Sequence, residues 1–128
     1  METIGIDGYN SYIAKKFKSK YRKKHKIYIF KEDINNIQKI KQFINKKKIS
    51  TYIRCGGLSR SKCENNKIGC KKANFNANKK LINFLKTKKK IKVIFLSTSH
   101  IYKYSKKKIK ETSLKKPTNL YGKLKLKS

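Results

Sequence analysis

Near the C-terminal end, Tyr121-Gly122-Lys123-Leu124-Lys125 sets a phenol and an ammonium four residues apart. On a helix that spacing puts both on one face. A phenol is a poor acid or base at neutral pH, with an ordinary pKa of about 10. A neighbouring ammonium favours the phenolate and brings it toward working range, so the pair is a candidate for proton transfer. Spacing alone does not single it out, because Tyr12 and Lys16 stand equally far apart. Upstream, Leu96-Ser97-Thr98-Ser99-His100-Ile101-Tyr102 follows an apolar run, and a hydroxyl there can bond a substrate oxygen. At the other end lies Gly5-Ile6-Asp7-Gly8-Tyr9-Asn10-Ser11. A glycine-rich turn between a strand and a helix lets backbone approach a pyrophosphate, and the helix N-terminus adds free N–H groups and a positive dipole end. Gly5, Gly8 and Ser11 are the candidates, with Ser11 standing where the dinucleotide fingerprint has its third glycine.

These residues need elements to position them. Residues 3–6 read as a short strand ending at Asp7-Gly8, and Tyr12, Ile13, Phe17 and Tyr21 recur as on one helix face. Residues 26–30 read as a second strand. Ile34, Ile37, Ile40 and Ile44 mark a second helix with Asp33 as its N-cap. Residues 50–54 read as a third strand, closed by Gly56-Gly57. Ala73, Ala77, Leu81, Phe84 and Leu85 form the stripe of a third helix, from about residue 66 to about residue 87. Residues 93–96 are four consecutive apolar residues, suited to a parallel strand buried on both faces. Residues 103–117 read as lysine-rich loop, and a last helix starts near Asn119. Strands alternating with helices predict an α/β fold: a Rossmann-like parallel sheet with helices on both faces. The expected strand order is 3-2-1-4, truncated after the fourth strand and the start of the next helix.

The 128 residues suffice for one domain, residues 1–128. Net charge is +31, from 37 basic against 6 acidic residues. Only Arg22, Arg54 and Arg60 are arginine; the other basic residues are lysine. Nucleic-acid binders lean on arginine, whose planar fork matches phosphates and guanine edges. The chain is also rich in Ile, Asn, Tyr and Phe, which share A- and T-rich codons with lysine. The charge therefore reads as compositional, and nucleic acid is disfavoured as a partner. The Lys88-Lys89-Lys90 and Lys106-Lys107-Lys108 runs read as solvated loop charge. Cys55, Cys63 and Cys70 lack CxxC spacing and pair with neither His25 nor His100, so no metal site is expected and the thiols read as free. The N-terminal Met-Glu-Thr-Ile-Gly carries an early acid and no long apolar run follows. No signal peptide or membrane span is expected, and the location expected is cytoplasmic.

Residues 93–125, VIFLSTSHIYKYSKKKIKETSLKKPTNLYGKLK, resemble the extended short-chain dehydrogenase/reductase family of NAD-dependent epimerases and dehydratases. There a buried strand leads into Ser-Thr-x-x-Val-Tyr, then a loop with an acid, Pro, and Tyr-Gly-x-x-Lys. Glu111, Pro117 and Tyr121 fall in that order. Asp33-Ile34-Asn35, Cys55-Gly56-Gly57 and Asn74 followed by Leu81-Ile82 extend the likeness upstream, and the branch of dTDP-4-dehydrorhamnose reductase-like enzymes is the most similar. The resemblance implies that Tyr121 exchanges a proton with a sugar hydroxyl or keto oxygen. It implies that Lys125 holds the nicotinamide ribose and assists Tyr121, that Thr98 bonds the same oxygen, and that Gly5, Gly8 and Ser11 line the pyrophosphate. It implies NADP or NAD as cofactor and a nucleotide-sugar as substrate. Three departures stand out: Ser11 for glycine, Lys103 where glycine usually follows, and Phe30-Lys31-Glu32 where an acid ends strand two. Lys31 suits a 2′-phosphate and tilts the expectation toward NADP. The family continues beyond the Tyr-x-x-x-Lys helix with more sheet and a C-terminal substrate domain. A separately encoded C-terminal half is therefore a candidate partner; without it, an inactive dinucleotide-binding remnant is the alternative. The short last helix is expected to leave Lys125 loosely held.

Overall fold

The computed structural model describes residues 1–88 and 90–128. Four parallel strands form the sheet: β1 (Thr3–Ile6), β2 (Lys26–Ile29), β3 (Thr51–Arg54) and β4 (Lys92–Phe95). The first three begin and end close to the residues that the alternation predicts. Helices α1 (Tyr12–Tyr21) and α2 (Ile37–Lys46) follow β1 and β2. After β3 come α3 (Arg60–Asn65) and α4 (Lys67–Lys71). A π-helical turn (Lys72–Asn76) then runs into α5 (Ala77–Lys86). A 3-10 turn (Ser99–Ile101) follows β4, and α6 (Leu120–Lys127) ends the chain. The long predicted third helix is thus divided: α4 starts one residue after Asn66, whose side chain accepts from the Gly69 N–H, and α5 ends before Thr87.

The strand order is β2-β1-β3-β4, not 3-2-1-4. Alternation of strands and helices predicts parallel pairing but not which side of β1 the third strand joins. Here β3 docks directly beside β1, with Ile6 opposite Ile53 and the Asp7 N–H donating to the Ile53 carbonyl at 3.2 Å. The choice fits the polar groups at the strand ends, because Tyr52 and Arg54 on β3 both reach the Asp7 carboxylate. Winding therefore reverses between β1 and β3. In open α/β sheets such a reversal opens a crevice at the carboxyl ends of the strands.

Two cores flank the sheet. One buries Phe30, Ile40, Ile44, Ile49, Tyr52, Leu81 and Leu85 beneath α2 and α5. The other buries Ile4, Ile6, Ala14, Ile27 and Ile53 beneath α1. The buried side of α1 is carried by Ala14, with Phe17 and Tyr21 packed beside it; Tyr12 and Ile13, expected on that face, are 74% and 51% exposed. Asp33 is not the N-cap of α2. It folds a local turn, accepting from the Asn35 N–H at 2.9 Å, and Asn36 caps the helix by accepting from Lys39. Strand β4 is not buried on both faces: it is the sheet's edge, with Val93 and Phe95 half-buried against α5 and Ile94 exposed. Lys106–Lys108 are exposed, as are Lys88 and Lys90; Lys89 lies outside the described residues. No described helix is long and apolar enough to cross a membrane.

Two of the three cysteines are not free. Cys63 on α3 and Cys70 on α4 form a disulfide, and both are fully buried. The break after α3 folds α4 back so that the two Cα atoms lie 4.8 Å apart, which spacing in sequence does not reveal. Leu124 of α6 packs on this pair, joined by Leu58, Phe75, Leu120 and Tyr121.

Candidate active site

A cleft of about 390 Å³ opens at the carboxyl ends of β1, β2 and β3. Its walls include Gly8, Asn10 and Ser11 after β1, Glu32 and Asp33 after β2, and Cys55, Gly56 and Gly57 after β3. Gly8 has φ +69°, a conformation that side chains resist, and a Cβ there would lie 3.0 Å from the Gly56 nitrogen. Ser11 is the N-cap of α1, its hydroxyl accepting from the Ala14 N–H at 3.1 Å. The remaining N–H groups of that first turn have no intrahelical partner, and the helix dipole adds positive potential. Fully buried Ala14 lets α1 lie close to the sheet. Gly8, Ser11 and Ala14 thus form a turn, a cap and a close contact at three-residue spacing. The donors and the small residues bordering this cleft fit a dinucleotide pyrophosphate.

Gly5 stands elsewhere. It lies within β1, opposite Tyr28 and Tyr52, and a Cβ would sit 3.0 Å from Phe43 and 3.2 Å from Ile49. Its smallness serves the packing of α2, so Gly8 and Ser11 are the members of the set that border the cleft. Lys31 is exposed and does not line the cleft.

Beneath the cleft lies a buried polar cluster that sequence reading did not single out. Asp7 is wholly buried, and its Oδ1 accepts from the N–H groups of Cys55 at 2.8 Å and Gly56 at 2.6 Å. Its Oδ2 accepts from Arg54 Nη1 at 2.7 Å and from the Tyr52 hydroxyl at 3.0 Å. Arg54 Nε donates to Asn78 Oδ1 at 2.8 Å. Asp7 thereby ties the turn after β1 to the turn after β3, holding both walls of the crevice. An arginine ending an otherwise apolar strand was the available signal. Asn74, also fully buried, braces the next loop: its Oδ1 accepts from the Leu58 N–H and its Nδ2 donates to the Leu58 carbonyl.

Thr98 follows β4, half-buried, and caps the 3-10 turn by accepting from the His100 N–H at 3.3 Å. Tyr121 lies in the first turn of α6, its ring edge-on to His100 at 5.8 Å between centroids. Lys125 Nζ donates to the Leu96 carbonyl at 3.1 Å. The carboxyl end of β4 and the first two turns of α6 are thereby joined. No direct hydrogen bond links Thr98, Tyr121 and Lys125 among the described residues. Burial, with the nearby Arg54 guanidinium, holds the Lys125 ammonium below its ordinary pKa, Asp7 partly opposing the shift. Cys55 feels the same neighbourhood: burial and Asp7 push its thiol up to about 12, against the pull of Lys125 and Arg54.

Helix α6 is better held than its length suggests. Asn119 caps it, accepting from the Gly122 N–H at 2.8 Å, and Leu124 is buried on the disulfide. Gly122 lies against the His100 carbonyl, where a Cβ would collide.

The NAD dependent epimerase/dehydratase family matches residues 6–128. The chain belongs to that family. A search of curated proteins gives no significant match. Among solved structures, this epimerase/dehydratase-family chain is similar to the dTDP-4-dehydrorhamnose reductase of Bacillus anthracis, solved with NADP, at 20% identity and TM-score 0.86. That match covers 98% of this chain and 47% of the other. It is similar to the UDP-Glc/GlcNAc 4-epimerase of Campylobacter jejuni at 21% identity and TM-score 0.87, covering 99% and 46%. L-threonine 3-dehydrogenase of Trypanosoma brucei aligns at 14% identity and TM-score 0.88, covering 98% and 46%. The chain thus spans about half the length of the solved structures it matches. At these identities the likeness establishes the Rossmann-like fold.

Proposed function

We propose that this chain is the cofactor-binding portion of an NAD(P)-dependent sugar-nucleotide oxidoreductase, epimerase or dehydratase, with Thr98, Tyr121 and Lys125 at its reacting centre. One observation carries the reading: a cleft at the switch point is bordered by the Gly8–Ser11 turn, and on the neighbouring strand β4 the Leu96 carbonyl holds Lys125 of the Tyr-x-x-x-Lys helix. Ser11 and the first turn of α1 hold the pyrophosphate. A bound nicotinamide dinucleotide supplies the hydride chemistry. Tyr121 moves a proton to or from the substrate oxygen, Thr98 hydrogen-bonds that oxygen once its hydroxyl turns from the His100 N–H, and the Lys125 ammonium favours the phenolate. The family and the neighbouring reductase and epimerase support a sugar nucleotide as substrate.

The same reading calls for a second wall to the substrate pocket. The open edge of β4 and an apolar groove of about 280 Å³, lined by Ile82, Leu85, Ile91, Val93 and Phe95 with Lys86, suit the docking of further sheet from a separate C-terminal half.

Titration of NADH and NADPH by fluorescence tests the cofactor site: both variants Gly8→Val and Ser11→Val should weaken binding, and equal binding by wild type and Gly8→Val refutes the assignment. Any turnover of a 4-keto sugar nucleotide, alone or with a C-terminal half added, should vanish in Tyr121→Phe. Turnover that survives that change refutes the catalytic assignment.

A further inference from the structure

Among the described residues the cleft wall contains one lysine, and it is not the one beside strand two. Lys31 stays outside the lining, whereas Lys62 of α3 is part of it, together with Ser59 and with Glu32, Asp33 and Ile34 from the loop after β2. The two loops are neighbours, since the Ile34 side chain lies against Gly56. Arg60, the other nearby cation on α3, is engaged by Glu64 at 3.1 Å. Lys62 is in none of the ion pairs among the described residues, nor are Glu32 and Asp33. Asp33 Oδ1 is already occupied by the Asn35 N–H and side-chain amide, each at 2.9 Å.

The cleft lining therefore offers two opposed chemistries. In a dinucleotide fold of this topology the residues just after strand two meet the adenosine ribose. A carboxylate there accepts from a 2′-hydroxyl and repels a 2′-phosphate; a cation does the reverse. On the proposed cofactor reading, we infer that Lys62, reaching across from α3, pairs with the 2′-phosphate and sets a preference for NADP over NAD. Glu32 pulls the other way, so the preference depends on Lys62 and is lost with it. Ser59 lines the same cleft and offers the phosphate a hydroxyl donor.

The overall charge of +31 would favour the more anionic dinucleotide wherever it bound, so a test must separate local from global charge. Lys31→Gln and Lys62→Gln remove the same charge at the two positions. Binding of NADPH, NADH, 2′,5′-ADP and 5′-ADP to the full chain is measured at fixed salt for wild type and both variants. Lys62→Gln should raise the Kd for NADPH and 2′,5′-ADP about tenfold, leave NADH and 5′-ADP unchanged, and Lys31→Gln should change none of the four. Equal losses in the two variants, equal losses for NADPH and NADH in Lys62→Gln, or no loss at all would each overturn the inference while leaving the cofactor site standing. A wild-type chain that binds neither dinucleotide refutes the cofactor reading and this inference together.

Discussion

Asp7 satisfies four donors at once, two backbone and two side-chain, in a place closed to water. Breaking such a set is costly because the carboxylate stays behind without its partner. Arg54→Met should lower unfolding stability by about 3–5 kcal/mol. Adding Asp7→Asn should recover part of that loss, because the buried charge then goes; additive losses in denaturant titrations would argue against direct coupling. Cys55 makes a kinetic prediction. With its thiol pushed up to about 12, it is nearly all protonated at mildly alkaline pH. Alkylation of the folded, disulfide-intact chain near pH 8 should be more than about a hundredfold slower than that of an exposed thiol. A rate close to that of free cysteine would show that the thiol is not screened as described. Lys125 has the opposite sign. Its folded pKa lies below the unfolded value, so the unfolded chain binds the proton more tightly, and this group's contribution to stability grows as pH rises between the two values. Lys125→Met should therefore raise the Tm at neutral pH, the gain shrinking as pH nears about 10.4, even as it weakens the proposed site. A lower Tm at neutral pH would mean that the bond to Leu96 outweighs the cost of burying charge.

Among the elements, α6 is the one whose position most affects the site, and it is held from two sides. Below, Leu124 rests on the Cys63–Cys70 pair; in front, Gly122 touches the His100 carbonyl. A methyl group at 122 cannot fit without pushing α6 away from the 3-10 turn. Gly122→Ala should thus cost about 1–3 kcal/mol by overpacking, although alanine favours a helix more than glycine does. Lys123→Ala, on the exposed side of the same helix, is the control and should be near neutral. If Gly122→Ala proves as stable as wild type, the contact with His100 does not set the position of α6.

At the scale of the whole molecule, charge dominates. A net +31 on 128 residues opposes compaction through self-repulsion, which mobile ions screen within about 10 Å at 0.1 M salt. The Tm should rise by several degrees, roughly 5 °C, between about 0.02 and 0.5 M sodium chloride. A Tm independent of salt would show that the lysines are spread widely enough for their repulsion to be negligible. The open β4 edge belongs to this scale too. Like charge on every copy discourages self-association along it, while leaving the groove available to a less basic partner.

The order of strands and helices was legible because periodicity is local: Ile40 and Ile44, or Leu81 and Leu85, mark a face whatever they pack against. The family was legible too, since the Ser-Thr segment, Pro117 and Tyr121-Gly122-x-x-Lys125 keep their order and spacing along the chain. What stayed hidden depends on contacts between residues far apart in sequence. Which side of β1 receives β3 is decided where Tyr52 and Arg54 meet Asp7, more than forty positions away. That Gly5 serves the packing of α2 while Gly8 borders the cleft depends on where Phe43 and Ile49 come to lie. The Cys63–Cys70 bond exists because α4 turns back on α3. Lys62 rather than Lys31 lines the cleft through the placement of α3 after the β3 turn, which no local pattern in a lysine-rich chain distinguishes.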